Sequence, residues 1–225
     1  MKHLIEPPIC MYGPPPQYWR NEGKFECLIF DLGGVLMKHN MQGCIDAFRE
    51  LMGEDGMQQY LGLSGNGEGT DGSLMIRFEQ GLVSADEFLS EVQKHCKAGT
   101  TEEQVKEAWL MMHAGIPAES LTYVRDLREQ GYQTYLLSNN NELHWQDVLD
   151  KYPITKCFDR VFLSHELHLS KPDPKMFSYI ADELVTDPER TIFIDDIEEN
   201  RVAANKAVGW QTCASLEELR QILEP

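Results

Sequence analysis

Short apolar runs that each stop at a polar or small residue are spaced along most of the chain. Cys27-Leu28-Ile29-Phe30 ends at Asp31 and then Gly33-Gly34, a pattern that predicts a buried strand running into a turn. Three further runs have the same form: Thr134 to Leu137 ending at Ser138, Arg160 to Leu163 ending at Ser164, and Thr191 to Ile194 ending at Asp195. A shorter one follows at Trp210 to Cys213. Between them apolar positions recur at helical spacing. Ala118 to Gln130 closes on Gly131, Glu142 to Asp150 is amphipathic, and Pro174 to Leu184 begins with Asp173 as a cap and Pro174 in its first turn. Asn200 to Val208 stops at Gly209, and Ser215 to Leu223 forms a last helix. Buried strands alternating with helices predict an α/β fold, a doubly wound parallel sheet.

Residues 38–116 break the alternation, being too long for one crossover helix and lacking strands; they read as an inserted helical subdomain. Ser84 with Glu87, and Thr100 with Glu103, match the capping-box pattern at the heads of helices Ser84 to Cys96 and Thr101 to His113, and Gly81 stops the helix before them. The five glycines between Gly62 and Gly72 predict a linker. Residues 1–24, with Pro14-Pro15-Pro16 between Tyr12 and Tyr18, predict an extended surface segment rather than part of the core. The predicted division is therefore an N-terminal extension over 1–24, a core from 25–37 and 117–225, and a helical insertion over 38–116.

The chain of 225 residues is 42% hydrophobic and 25% charged, which is globular and excludes a disordered or membrane-spanning chain. Its formal charge of −17 repels phosphate backbones and anionic lipid, so neither nucleic acid nor a membrane is an expected partner. Six cysteines without paired spacing predict reduced thiols, and no apolar leader is evident, so the expected location is the cytoplasm. Nothing in the pattern specifies an oligomeric state.

In a doubly wound sheet ligands bind at the carboxyl ends of the strands. The residues there are Asp31 with Gly33 and Gly34, Ser138 with Asn139, Lys171 opening a Lys-Pro-Asp-Pro run, and Asp195 with Asp196. Singly each has an ordinary structural explanation, as a turn residue, a helix cap or a surface lysine. Jointly they supply what phosphoryl transfer requires: a carboxylate nucleophile at Asp31, phosphate ligands at Ser138 and Asn139, a cation at Lys171, and hard oxygens for Mg2+ at Asp31, Asp195 and Asp196.

Four ordered segments, LIFDLGGVL (28–36), TYLLSNNN (134–141), LSKPDPKMF (169–177) and TIFIDDIEENRVAANKAVGW (191–210), resemble the motifs of the haloacid dehalogenase superfamily. The resemblance implies a helical cap in place of the insertion, Asp31 as nucleophile, Ser138 as phosphate ligand and Lys171 as charge stabiliser. It also implies Mg2+ held by Asp31, Asp196 and the Gly33 carbonyl, with Asp195 supporting the metal directly or through water. The expected activity is Mg2+-dependent hydrolysis of a small phosphorylated metabolite, a sugar phosphate. Gly33 departs from the family, whose phosphatases usually carry a second Asp there as general acid. The DLGGV pattern is similar to a subgroup including bacterial glucose 1-phosphate phosphatases, whose anomeric leaving group has less need of an acid; His39 is a candidate substitute. Three alternatives stand beside this reading: a metal-free haloacid dehalogenase, which the acidic pair opposes, a phosphomutase, which Gly33 opposes, and a catalytically silent phosphate-binding regulator. His165 and His168 lack the further ligands of a zinc site, and Met75, Phe78, Phe88, Trp109 and Met111 read as core of the insertion.

Overall fold

The computed structural model describes residues 24–61 and 74–224. The N-terminal extension, apart from Lys24, and the glycine-rich linker lie outside the described residues.

Five parallel strands form the sheet: β1 (Cys27–Phe30), β2 (Gln133–Ser138), β3 (Arg160–Leu163), β4 (Thr191–Ile194) and β5 (Gln211–Cys213). Their order is β3-β2-β1-β4-β5. The chain winds outward from β1 to β3, then crosses back to lay β4 on the other side of β1, so the switch point lies at β1. Every β1 residue is buried because helices cover both faces. Leu28 and Phe30, with Leu136, Ile192 and Ile194, pack against α5 (Ala118–Glu129) and α10 (Leu216–Leu223). Cys27 and Ile29, with Leu137 and Phe193, meet Phe177 and Ile180 of α8 (Pro174–Leu184), Ala204 of α9 (Glu198–Val208), and Trp210.

The insertion contributes α1 (Met41–Leu61), α2 (Leu74–Glu79), α3 (Ala85–Gln93) and α4 (Glu102–Leu110). α1 is interrupted at Gly53, whose φ of 71° no helix tolerates. These helices have a core of their own: Phe48, Phe78, Phe88 and Trp109, with Val92 and Val105. Phe78 and Phe88 stack at 4.3 Å, and Phe88 meets Trp109 at 4.8 Å.

Element ends depart from the predicted ones by a few residues, each for an identifiable reason. The helix predicted from Thr101 is capped one residue later than its capping box implied. Thr101 and Gln104 form the reciprocal bonds, because the Thr100 N–H is already donated to the Lys97 carbonyl in the preceding turn. The Ser84–Glu87 box forms as expected. A one-turn helix, α7 (Ser164–Leu167), follows β3 directly; Ser-His-Glu-Leu is too short to show periodicity. α6 (Glu142–Lys151) is capped by Asn141, not Ser138. Met111, expected in the core, is exposed, whereas Phe78, Phe88 and Trp109 are buried. The five described cysteines are free thiols, and no helix among the described residues is long and apolar enough to cross a membrane.

Candidate active site

The parallel register places three strand ends at one edge. Phe30 pairs with Leu136 and Ile194, so the next residues, Asp31, Leu137 and Asp195, come level. The Asp31 N–H donates to the Ile194 carbonyl at 2.8 Å and the Asp195 N–H to the Cys213 carbonyl at 3.1 Å, so backbone bonds extend just past the strands and hold both acids rigidly.

Lys171 arrives from the loop between α7 and α8. Its ammonium is buried, 2.9 Å from Asp31 Oδ1, 2.7 Å from Asp195 Oδ2, and donates to the Leu137 carbonyl at 3.1 Å. Asn139 clamps the backbone of this lysine, its Nδ2 donating to the Lys171 carbonyl at 2.9 Å and its Oδ1 accepting from the Lys171 N–H at 2.8 Å. The Asn139 side chain is thus engaged in positioning Lys171. Ser138 is buried at the end of β2, with its hydroxyl 3.3 Å from the Asn139 carbonyl, and lines the cavity.

The two acids after β4 differ in their surroundings. Asp195 is saturated: Oδ1 accepts from the Ile197 N–H and Asn200 Nδ2, and Oδ2 from Lys171 and Asn200. The Asp196 side chain has no hydrogen-bond or ion-pair partner among the described residues. Its carboxylate lies against Gly34, where a Cβ would stand 2.2 Å from Oδ2. Gly34 is doubly required, since its φ is +73° as well. Asp31 is also half free: Leu32 N–H and Lys171 both bind Oδ1, and nothing described binds Oδ2.

Oxygens of Asp31, Asp195 and Asp196 lie within 4.8 Å of one another. Three carboxylates against one ammonium leave two negative charges in a partly buried cluster. That balance and the three unpartnered carboxylate oxygens, both of Asp196 and Oδ2 of Asp31, suit a hard divalent cation. Burial pushes the Asp31 carboxyl up to about 6 in spite of the pull of Lys171, with Asp195 adding to the rise. Burial alone would lower Lys171, but Asp31 and Asp195 outweigh it and leave the ammonium above its usual range. The Lys171 ammonium is therefore charged at neutral pH.

At Gly33 the backbone φ is not positive; a neighbouring side chain occupies the space instead. A Cβ there would sit 2.3 Å from His39 Nε2 and 2.8 Å from Cε1. The imidazole therefore takes up the room from which a second aspartate would project.

A cavity of about 430 Å³ joins this floor to the insertion. Met75, Glu79, Trp109, Met112 and His113 line its roof, so Met75 and Trp109, expected only as core, also face the site. Asn140, Asn141, His144 and Asn200 line it too and were not anticipated. The three asparagines after β2 were a visible signal, but only folding shows that Asn141 caps α6, accepts from the His144 N–H at 3.0 Å, and receives Trp109 Nε1 at 3.4 Å. His165 and His168 hydrogen-bond to the carbonyls of Asn140 and Gln80 and form no metal cluster among the described residues.

The family model for haloacid dehalogenase-like hydrolases matches residues 25–209, and the chain belongs to that family. Among its relatives, the D-ribitol-5-phosphate phosphatase of Bacteroides thetaiotaomicron is 28% identical over 82% of this chain and 89% of its own. A sesquiterpene phosphatase of Aspergillus oryzae is 25% identical over 88% of this chain and 97% of its own. A solved structure of a HAD family enzyme from B. thetaiotaomicron, in complex with magnesium and inorganic phosphate, superposes with a TM-score of 0.74 at 30% identity, covering 84% of this chain and 93% of that one.

Proposed function

We propose that this protein is a magnesium-dependent phosphatase that hydrolyses a small phosphate monoester, a sugar or polyol phosphate, through an aspartyl-phosphate on Asp31. The observation that carries the reading is Lys171 held between Asp31 and Asp195, beside the unpartnered Asp196 carboxylate. Relatives that are phosphatases, and a similar structure holding magnesium and phosphate, support it.

Asp31, Asp196 and the Gly33 carbonyl would hold Mg2+, which neutralises charge on the transferring group and draws phosphate toward the carboxylates. Asp195 would orient Lys171, whose ammonium is pre-placed for a phosphoryl oxygen. The Ser138 hydroxyl and neighbouring backbone would bind a second such oxygen. Asp31 attacks phosphorus, forming an acyl phosphate as the ester P–O bond breaks, and the electron pair leaves with the alcohol oxygen, which takes up a proton. Water then attacks phosphorus, the Asp31–phosphorus bond breaks and inorganic phosphate departs. The insertion over 38–116 would act as the cap that encloses the leaving group against water.

The deciding measurement is turnover of p-nitrophenyl phosphate with Mg2+, because aryl leaving groups scarcely need an acid. Wild-type turnover is expected, with Asp31→Asn reducing kcat on the order of a thousandfold or more. Near wild-type activity in that variant would end the covalent mechanism. Inactivity of the wild type toward every ester would instead favour the silent phosphate-binding alternative.

A further inference from the structure

Glu79 is a carboxylate whose surroundings the catalytic chemistry leaves unexplained. It ends α2 and lines the cavity that contains Asp31 and Lys171. Among the described residues its side chain has no hydrogen-bond donor and no cation. Burial alone acts on it, raising its carboxyl above the usual range. Most other acids of the insertion among the described residues are exposed, whereas this one is half-buried and lines the cavity.

Its placement is rigid and tied to the catalytic layer. The Ser164 hydroxyl lies 2.5 Å from the Glu79 carbonyl and accepts from the Asn140 N–H at 2.9 Å, joining the end of α2 to the loop after β2. The next residue, Gln80, donates through Nε2 to the Ser170 hydroxyl at 3.0 Å, one position before Lys171, and its carbonyl meets His168 Nδ1 at 2.8 Å. Gly81 then packs so closely on the His165 carbonyl that a Cβ would stand 2.0 Å from that oxygen. Glu79 is thereby held at a set place relative to Lys171, a condition for discriminating between substrates.

We propose that Glu79 is a specificity-determining residue that accepts hydrogen bonds from hydroxyl groups of a polyhydroxylated leaving group. The inference rests on the phosphatase reading above and deepens it. Met37, Met41, Met75, Met112 and Trp109 line the same cavity and would accept an apolar chain readily. A carboxylate among them disfavours such a chain, because the chain would remove water from the acid and supply no donor in return. Hydroxyls replace that water directly. An ammonium-bearing leaving group would pair with Glu79 as well, but through one terminal cation, whereas a polyhydroxylated chain offers donors and acceptors along its length to Glu79 and to Asn140, Asn141 and Asn200, which line the same cavity.

Three esters sharing a five-carbon chain test this: D-ribitol 5-phosphate, n-pentyl phosphate and 5-aminopentyl phosphate, each with Mg2+. For the wild type, kcat/KM is expected to favour the ribitol ester over both others. Glu79→Leu should lower the ribitol-to-pentyl ratio by about 30-fold, mainly through KM, as expected when a buried hydrogen-bonding group is removed from a specificity site. Glu79→Gln, nearly isosteric and still able to accept, should retain most of the ratio and serves if the leucine variant fails to fold. A wild-type preference for the pentyl or aminopentyl ester overturns the proposal, as does a loss in Glu79→Leu of equal size on all three esters. Inactivity of the wild type toward these esters and p-nitrophenyl phosphate alike would reject the phosphatase reading itself.

Discussion

At the level of single residues, the departure at position 33 is explained by its neighbour. His39 fills the space a side chain would need, but the atoms in the way are the far end of an exposed imidazole and the backbone φ at that position is not positive, so Gly33→Asp should fold with the ring displaced. Its thermal melting should therefore lie close to that of the wild type, well short of the roughly 1–3 kcal/mol that overpacking a closed core costs. A large drop in melting temperature that His39→Gly relieved would show instead that the imidazole cannot move aside. Asp195 and Asp196 make the complementary point: two adjacent, chemically identical side chains divide into a saturated anchor for Lys171 and an unpartnered carboxylate because only one faces Asn200 and the Ile197 N–H.

At the level of elements, α4 of the insertion is joined to α6 of the core through histidines. His144 stacks on Trp109 at 4.9 Å with the rings nearly parallel, and its Nε2 lies 3.0 Å from the Trp109 carbonyl. Asn141 Nδ2 lies 3.2 Å from its Nδ1. That network assigns the neutral tautomer with the proton on Nε2, and a second proton on Nδ1 would face the amide donor. Burial, chiefly, with the neighbouring His113 and more distant His39, holds His144 down to about 3, despite the Trp109 carbonyl and Asp147. His113, 3.0 Å from Asp147 and 4.3 Å from His144, is lowered as well, burial outweighing that carboxylate. Between pH 6.5 and 3 the unfolded chain therefore binds more protons at His144 than the folded one, and stability falls as pH falls. Urea unfolding from pH 7 to 4 should show that slope, and His144→Gln should flatten it. Parallel slopes in the two proteins would exclude His144 as its source.

For the molecule as a whole, a charge of −17 would repel phosphate esters at long range. Beyond a Debye length of about 8 Å at physiological salt, however, that field is screened. On the proposed mechanism capture then depends on Lys171 and a bound cation, both inside the site. Raising ionic strength from about 50 to 300 mM should change kcat/KM by no more than roughly threefold. A steep decline would reveal a basic approach surface elsewhere on the protein.

The sheet was legible in the sequence because a parallel strand covered on both faces must be apolar along its whole length, and such runs survive any choice of register: Cys27–Phe30 and Thr191–Ile194 match their predicted ends. The candidate catalytic residues were legible for a related reason, since each directly follows a strand or opens a marked Lys-Pro-Asp-Pro turn. The roof of the cavity was not. Met75, Glu79, Trp109 and His113 lie on helices whose spacing shows that one face is buried, but not whether that face meets the insertion's core or the catalytic floor. Periodicity along one helix carries no information about the angle at which it docks on another layer. That angle is set by contacts remote in sequence, among them Ser164 with Glu79, Gln80 with Ser170 and His144 with Trp109. The sequence by itself determined the layer and the set of candidate residues at its carboxyl edge; only the tertiary structure decided which acid anchors Lys171, what fills the space at Gly33, and which side chains roof the cavity.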